Sequence, residues 1–269
     1  MWIFRGLRKG VVTTRWPAHP DPYADATRGP ATLTTLTAGP GHAGPSGGDL
    51  AALCPTGAIR ADGGVRLDQG RCIQCGRCVE ARPDLFAWAA GPATAVTARG
   101  ALVVPDTGEP GAERLADTRA ALRRRTRALR RSVHIRHVDA GSDGADEWEI
   151  LALLNPVYDV HRLGVFFTAS PRHADILLVT GAGARGMTEP LRRTYDGMPD
   201  PRVVIAAGTD ATGGGLHADS YATTGGITTA VPVDVWVPGS PPTPFALLHA
   251  ILLATGRLPA APAVRRSTP

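Results

Sequence analysis

All four cysteines of this 269-residue chain lie between positions 54 and 78. The stretch "GRCIQCGRCVEARP", residues 70–83, spaces Cys72, Cys75 and Cys78 with two residues between neighbours. Thiolates at that density are soft ligands suited to zinc or to an iron–sulfur cluster, and in a reducing compartment they point to metal rather than disulfides. A fourth cysteine just before Pro83 would complete a C-x2-C-x2-C-x3-C-P run, but that position is Arg82.

In two-cluster ferredoxins each such run gives three ligands to one cluster and its fourth to the other. Cys54-Pro55 resembles the end of a first run, whose three earlier ligand positions are then Gly44, Gly47 and Leu50. The losses at 44, 47, 50 and 82 fall together on one cluster. Cys54, Cys72, Cys75 and Cys78 remain as the complete ligand set of the other, which predicts one 4Fe–4S cluster as the cofactor and no second cluster. Backbone N–H groups around Ile73–Arg77 are the expected donors to its sulfurs. Structural zinc is the competing metal, although zinc ribbons present two separated C-x2-C knuckles. Four unliganded thiols are the third reading, and such clustering has no packing rationale.

Two kinds of sequence texture must position these residues. Residues 17–50 are rich in Pro, Gly, Thr and Ala and read as extended and loop-rich, and "VRL" and "ALVV" are strand-like stretches near the cysteines. "PGAERLADTRAALRRRTRALRR" predicts a helical connector over roughly residues 111–131. Beyond it, "LGVFFTAS", "ADILLVTGA", "PRVVIAAGT" and "VPVDVWVPGS" are apolar runs closed by turns. The helix-like segments "EWEILALLNPVYD", "MTEPLRRTYDGM" and "PTPFALLHAILLATG" separate or flank them. Continuous apolar strands alternating with helices argue for a parallel sheet covered on both faces. In such a sheet the sites gather past the carboxyl ends of the strands, here in the loops "GAGARGM", "GTDATGGG" and "PGSPP".

The fold expected is an α+β ferredoxin-like domain followed by an α/β flavodoxin-like domain with a mainly parallel sheet. The boundaries expected are an extended N-terminal docking segment at 1–40, the 4Fe–4S domain at 41–104, the connector at 105–131, the α/β domain at 132–258 and a flexible tail at 259–269. Net charge is +5 and Lys9 is the only lysine, a bias expected of a GC-rich genome. The one basic run, "ALRRRTRALRR", has no interleaved aromatics and reads as a solvated or partner-facing helix, so nucleic acid is not an expected partner. No apolar stretch is long enough to span a bilayer, and "MWIFRGLRKGVV" mixes apolar and basic residues suited to docking on a membrane, on a partner, or on its own domain. The glycine runs at 213–215 and 225–227 lack a dinucleotide or P-loop pattern. His134, His137, His161, His173, His217 and His249 show no metal-ligand spacing, and no residues carry hydrolytic chemistry.

"HIRHVDAGS", "GVFFTASPRHADILLVTG", "EPLRRTYDGMPDPRVVIAAG" and "VPVDVWVPGSPPTPFALLHAILL" carry a wider resemblance. Residues 132–256 resemble the cluster-carrying small subunit of complex I (NADH–quinone oxidoreductase). They also resemble that of membrane-bound energy-converting nickel–iron hydrogenases and formate hydrogenlyase. The resemblance implies a subunit that is not catalytic alone. Its partners would be a large catalytic subunit, membrane subunits and an electron donor or acceptor protein, and it would sit on the cytoplasmic face of the inner membrane as a peripheral subunit.

The family's own cluster is held by four cysteines, and their positions map to Asp143, Asp146, Asp210 and Ser240, none of them a thiolate. Hard oxygen ligands suit Mg2+ or Ca2+ better than an iron–sulfur cluster, with compensation of the carboxylates by Arg136, Arg172, Arg185 or water as the other expectation. Glu147 matches a glutamate that related hydrogenases place there for proton movement. The expected function is electron transfer in a complex I-like or hydrogenase-like oxidoreductase through the Cys54/Cys72/Cys75/Cys78 cluster. A structural or assembly subunit with no redox role at the ancestral site is the alternative.

Overall fold

Every other residue of "VHIRHVD" is apolar at its start, and the segment forms strand β6 (Val133–Asp139) with Val133 and Ile135 buried on one face and Val138 on the other. The structure, a computed structural model, describes residues 2–34, 47–61, 64–105 and 132–258, with Asp117, Ala120, Ala121 and Arg124 between them. The expected connector at 111–131 and the tail at 259–269 therefore lie almost wholly outside the described residues.

Four further apolar runs become strands β7 (Val165–Phe167), β8 (Ile176–Thr180), β9 (Val203–Ala207) and β10 (Val235–Val237). All neighbours are parallel, in the order β10-β9-β8-β6-β7. Counted from β7 in chain order this is 2-1-3-4-5, the flavodoxin-like order, in which the winding reverses between β6 and β8. Every residue of β8 and β9 is buried, as expected of central strands covered on both faces.

Helices α5 (Ala145–Ala152), α6 (Thr188–Asp196), α7 (Gly208–Gly213) and α8 (Pro244–Ala254) accompany the sheet. The α8 sequence is apolar all round, and its residues are all buried. Thr243 caps it, accepting from the Ala246 N–H, and Pro244 occupies the first turn. Phe245, Leu247, Leu248 and Ile251 join Ile135, Ile176, Leu178 and Ile205 in one core, each worth roughly 1.5–3 kcal/mol when fully buried. The opposite face packs Leu177, Val179, Val204 and Ala206 against Leu191 of α6. "GTDATGGG", expected as a loop, instead begins with α7, because Thr212 and the backbone close a helical turn onto Gly208. The expected helix within "EWEILALLNPVYD" ends at Ala152.

The N-terminal half holds α1 (Trp2–Lys9), α2 (Pro22–Asp25), α3 (Gly47–Leu53) and α4 (Arg77–Ala81), with two small antiparallel sheets. One pairs β1 (Arg28–Leu33) with β4 (Phe86–Ala90); the other orders β2 (Ile59–Arg60), β3 (Arg66–Asp68) and β5 (Val103–Val104). Ala31, Leu50, Ile59, Leu67, Leu85 and Phe86 form its core around Cys72.

The halves are joined by backbone. Val96 and Trp236 exchange hydrogen bonds of 3.0 and 2.9 Å. Gly70 lies so close to Arg99 and Thr212 that a Cβ there would stand 2.8 Å from both side chains, so only glycine fits that approach. Among the described residues no helix is long and apolar enough to cross a membrane.

Candidate functional site

The four cysteines line one pocket, together with Ala31, Ile59, Leu67, Ile73 and Gly76. The segment between Cys72 and α4 makes this arrangement. Gln74 adopts φ 57° and Gly76 φ 84°, so the chain turns twice through the left-handed region before α4 begins at Arg77. Alternating turns of this kind point successive N–H groups to one side, a device for holding negative charge. Cys54 arrives from the end of α3, and its sulfur accepts the Ala58 N–H at 3.2 Å. The backbone N–H groups of Ala31 and Gln74 favour the Cys72 thiolate, and that of Val79 favours the Cys78 thiolate. Of the expected donors at Ile73–Arg77, Gln74 acts in this way. Ala31, Ala58 and Val79 come from neighbouring elements that the cysteine spacing does not reveal.

Burial dominates the thiol chemistry. It pushes the Cys72 thiol up, against those backbone hydrogen bonds, and Cys54 and Cys75 add like-charge repulsion. Cys78 is pushed up to about 11, first by burial and then by Cys72. Cys72 is buried, Cys54 and Cys78 are half-buried, and Cys75 is exposed. Positions associated with the lost run now do structural work. Leu50 is buried in the core, and Arg82 is buried and makes a two-pronged pair with Asp84 at 2.7 and 2.6 Å. Gly44 lies outside the described residues.

The positions that the resemblance assigns to the family's own cluster follow the carboxyl ends of β6, β9 and β10. Asp146 lies in the first turn of α5, 6% exposed. Asp210 lies in α7, half-buried. Asp143 is exposed at the rim and accepts the Ala145 N–H at 2.9 Å. Ser240 is also exposed, in the loop whose Gly239 carbonyl accepts the Thr209 N–H at 2.7 Å. The structure thus brings Asp143, Asp146 and Asp210 together electrostatically and leaves Ser240 at the edge.

None of the expected arginines neutralises these carboxylates. Arg185 Nε donates to the Tyr221 carbonyl, and Arg136 Nε is buried without a partner. Arg172 is exposed and forms no ion pair with them. Desolvation and then Asp210, Glu147, Asp143 and Asp139 push the Asp146 carboxyl up to about 8. Asp210 is raised as well, by burial and then by Asp143, with His217 opposing. Glu147 is better served, accepting from Ser142 Oγ at 2.6 Å and from the Thr180 hydroxyl. His137 Nε2 lies 3.0 Å from Thr180 Oγ1, and burial holds the ring below its ordinary value against the pull of Glu147. His134 and His137 are three apart in a strand and so face opposite sides of the sheet. Among the described residues no group of three or more His, Cys, Asp or Glu side chains is arranged to hold a metal ion, and the expectation of Mg2+ or Ca2+ at the carboxylates finds no support.

Thr209 links the cysteine pocket to the helix that carries Asp210. Its hydroxyl donates to the Cys72 carbonyl at 3.0 Å, and it is fully buried.

The family model for the 20 kDa subunit of NADH ubiquinone oxidoreductase matches residues 144–254, which include Asp146, Asp210 and Ser240 but not Asp143. A probable membrane-bound hydrogenase subunit of Pyrococcus furiosus is 45% identical over 128 residues, which is 48% of this chain and 77% of that protein. The chain belongs to this family. A second member, formate hydrogenlyase subunit 7 of Escherichia coli, is 42% identical over 146 residues, 54% of this chain. This chain spans only 56% of that relative's length. Among solved structures, a chain of the membrane-bound sulfane sulfur reductase, an archaeal respiratory membrane complex, is 28% identical with a TM-score of 0.43. That match covers 50% of this chain and 76% of the other. Most of the matched region of the 20 kDa-subunit family is the parallel sheet with its loops; the cysteine pocket lies ahead of the family model.

Proposed function

We propose that this protein is an electron-transfer subunit of a complex I-like or hydrogenase-like assembly, carrying one 4Fe–4S cluster on Cys54, Cys72, Cys75 and Cys78 in a ferredoxin-like domain. It would dock on a large catalytic subunit and on membrane subunits, at the cytoplasmic face of the membrane, as a peripheral component. The observation that carries the reading is that all four cysteines of the chain line one pocket. When bound, the cluster supplies one-electron transfer.

The donor set fits such a group. The four thiols, of which Cys75 alone is exposed, repel one another as thiolates, and iron would supply the positive charge that reverses that. Cys54, Cys72, Cys75 and Cys78 would hold the cluster. The C-x2-C-x2-C spacing, with Cys54-Pro55 upstream, favours the cubane over zinc, whose ribbons present two separated C-x2-C knuckles. Two small antiparallel sheets with short helices α3 and α4 support the ferredoxin-like assignment. Cys72 lies on the side toward α7, while exposed Cys75 is the side that a redox protein can approach.

Anaerobic reconstitution, followed by iron and sulfide analysis and by EPR after dithionite reduction, tests the reading. About four irons and four sulfides per chain with one reducible signal are expected. Zinc alone, or two clusters, would overturn it.

One observation favours a second reading, a structural subunit with no redox role at the ancestral site. The positions that the resemblance assigns to the family's own cluster now carry only carboxylates and a hydroxyl. A cluster that resists reduction in the assembled complex would select that reading.

A further inference from the structure

Helix α1 (Trp2–Lys9) lays an apolar face open to solvent. Ile3 is 53%, Phe4 75% and Leu7 74% exposed, and past the helix Val11 is 81% exposed. Among the described residues none of these side chains joins a core. Successive helical residues turn by about 100°, so Ile3, Phe4 and Leu7 share one face and Arg5, Arg8 and Lys9 share the opposite one. Gly10 ends the helix in the left-handed region at φ 69°, donating to the Gly6 carbonyl at 3.1 Å.

The chain is fastened just after these residues. The Thr13 hydroxyl donates to the Pro156 carbonyl at 2.7 Å, and the Thr14 N–H donates to the Val157 carbonyl at 2.8 Å. The Trp16 ring meets Phe245 edge-on at 5.9 Å. Residues 3–12 thus project from a fixed point on the α/β domain. A helix this short is marginal in water unless something covers its apolar face. The occupant must suit the charge as well as the apolar stripe. Residues 1–20 contain no Asp or Glu, but they contain Arg5, Arg8, Lys9 and Arg15. A protein groove that accepts the apolar stripe leaves the opposite, basic face in water. An anionic bilayer surface takes both, with the apolar side chains in the acyl boundary and the arginine and lysine stems reaching back to the phosphates.

We propose that α1 and the residues just after it are a docking surface for an anionic phospholipid bilayer. The helix lies in the plane of the interface, with Ile3, Phe4, Leu7 and Val11 buried in it and Arg5, Arg8 and Lys9 at the headgroups. It rests on the membrane and does not cross it, being far shorter than a spanning helix. Attachment is reversible, because one short helix buries little apolar area and its charges act only close to the surface. Joined to the contacts that partner subunits supply, even a weak lipid contact raises the overall hold on the membrane. The inference extends the membrane-side placement proposed above, and it does not depend on the cysteines holding iron.

Sedimentation of the full chain with vesicles tests the proposal, using phosphatidylcholine alone and phosphatidylcholine mixed with phosphatidylglycerol. Saturable binding to the mixed vesicles, weaker binding to phosphatidylcholine and a loss of binding as salt rises are expected. Arg5→Gln with Arg8→Gln should weaken binding to the mixed vesicles about tenfold or more. Phe4→Ser with Leu7→Ser should weaken it to a similar degree. Arg60→Gln with Arg66→Gln removes the same charge from the exposed β2–β3 pair and should leave binding unchanged. All six side chains are exposed, so each variant should melt with the parent protein. No binding to the mixed vesicles, binding that either α1 variant keeps, or an equal loss in the Arg60 and Arg66 variant would each overturn the proposal. So would self-association through Phe4 and Leu7 without vesicle binding, which would give the face to a second copy of the chain. None of these readouts requires iron, so failure here is distinct from failure of the electron-transfer reading.

Discussion

The Thr209 hydroxyl donates a 3.0 Å hydrogen bond to the Cys72 carbonyl across 137 residues of chain. The same turn of α7 lays Gly208 against the Asp146 carboxylate and carries Asp210. A single helical turn thus touches Cys72 of the cysteine pocket on one side and the Asp146 carboxylate on the other.

Replacing Thr209 by Val removes that hydroxyl while keeping the shape. The buried Cys72 carbonyl then loses its donor, and the Gly239 N–H loses a 3.4 Å acceptor. The expected loss of stability is about 1–3 kcal/mol. Urea denaturation measures it, and Thr209→Ser should recover most of the loss.

Cys54 is the test of the ligand set, because it is the cysteine separated from the others in sequence. Cys54→Ala should lower bound iron and sulfide as far as Cys72→Ala does. Leu50→Ala, at a position associated with the lost run, should cost about 2–5 kcal/mol through its cavity. It should leave the iron content per folded chain unchanged. Iron assays on the purified variants separate the two effects.

The Asp146 carboxyl is raised from 3.8 to about 8 in the folded protein. Between those values the folded state holds a proton that the unfolded state has released, so stability falls as pH rises through that window. Below it the group is neutral in both states, and above it the cost of the buried charge is complete. Asp146→Asn should therefore match the parent protein near pH 4 and exceed it in stability at pH 9. The ceiling on the gain is roughly 5 kcal/mol. Thermal melts across that range check the direction.

Gly208 has φ 91°, and a methyl group there would meet Asp146 Oδ2 at 2.3 Å. Gly208→Ala should cost about 1–3 kcal/mol from backbone strain, with steric overlap in addition. The double variant with Asp146→Ala should recover the overlap part and leave the strain. A double-mutant cycle from denaturation curves reads the coupling between the two positions.

The spacing of the cysteines by itself predicted that these four thiols lie together, and they line one pocket. The alternation of apolar runs with helical segments specified a parallel sheet, because strands buried on both faces must be apolar throughout. "PTPFALLHAILLATG" reads as a helix by its sequence, and the structure buries every residue of α8. Tertiary structure alone decided what faces what. Arg136 and Arg185 were close enough in sequence to the acidic loops to serve as their counter-ions, yet strand β6 and the Tyr221 carbonyl hold them elsewhere. "GTDATGGG" looks like a loop by its glycines, and it becomes α7 because it must pack between the sheet and Gly70. The solitary burial of Asp146, and the contact of Thr209 with Cys72, arise between segments far apart in the chain. Spacing is a property of one segment, whereas desolvation and charge compensation belong to whichever segments the fold brings together.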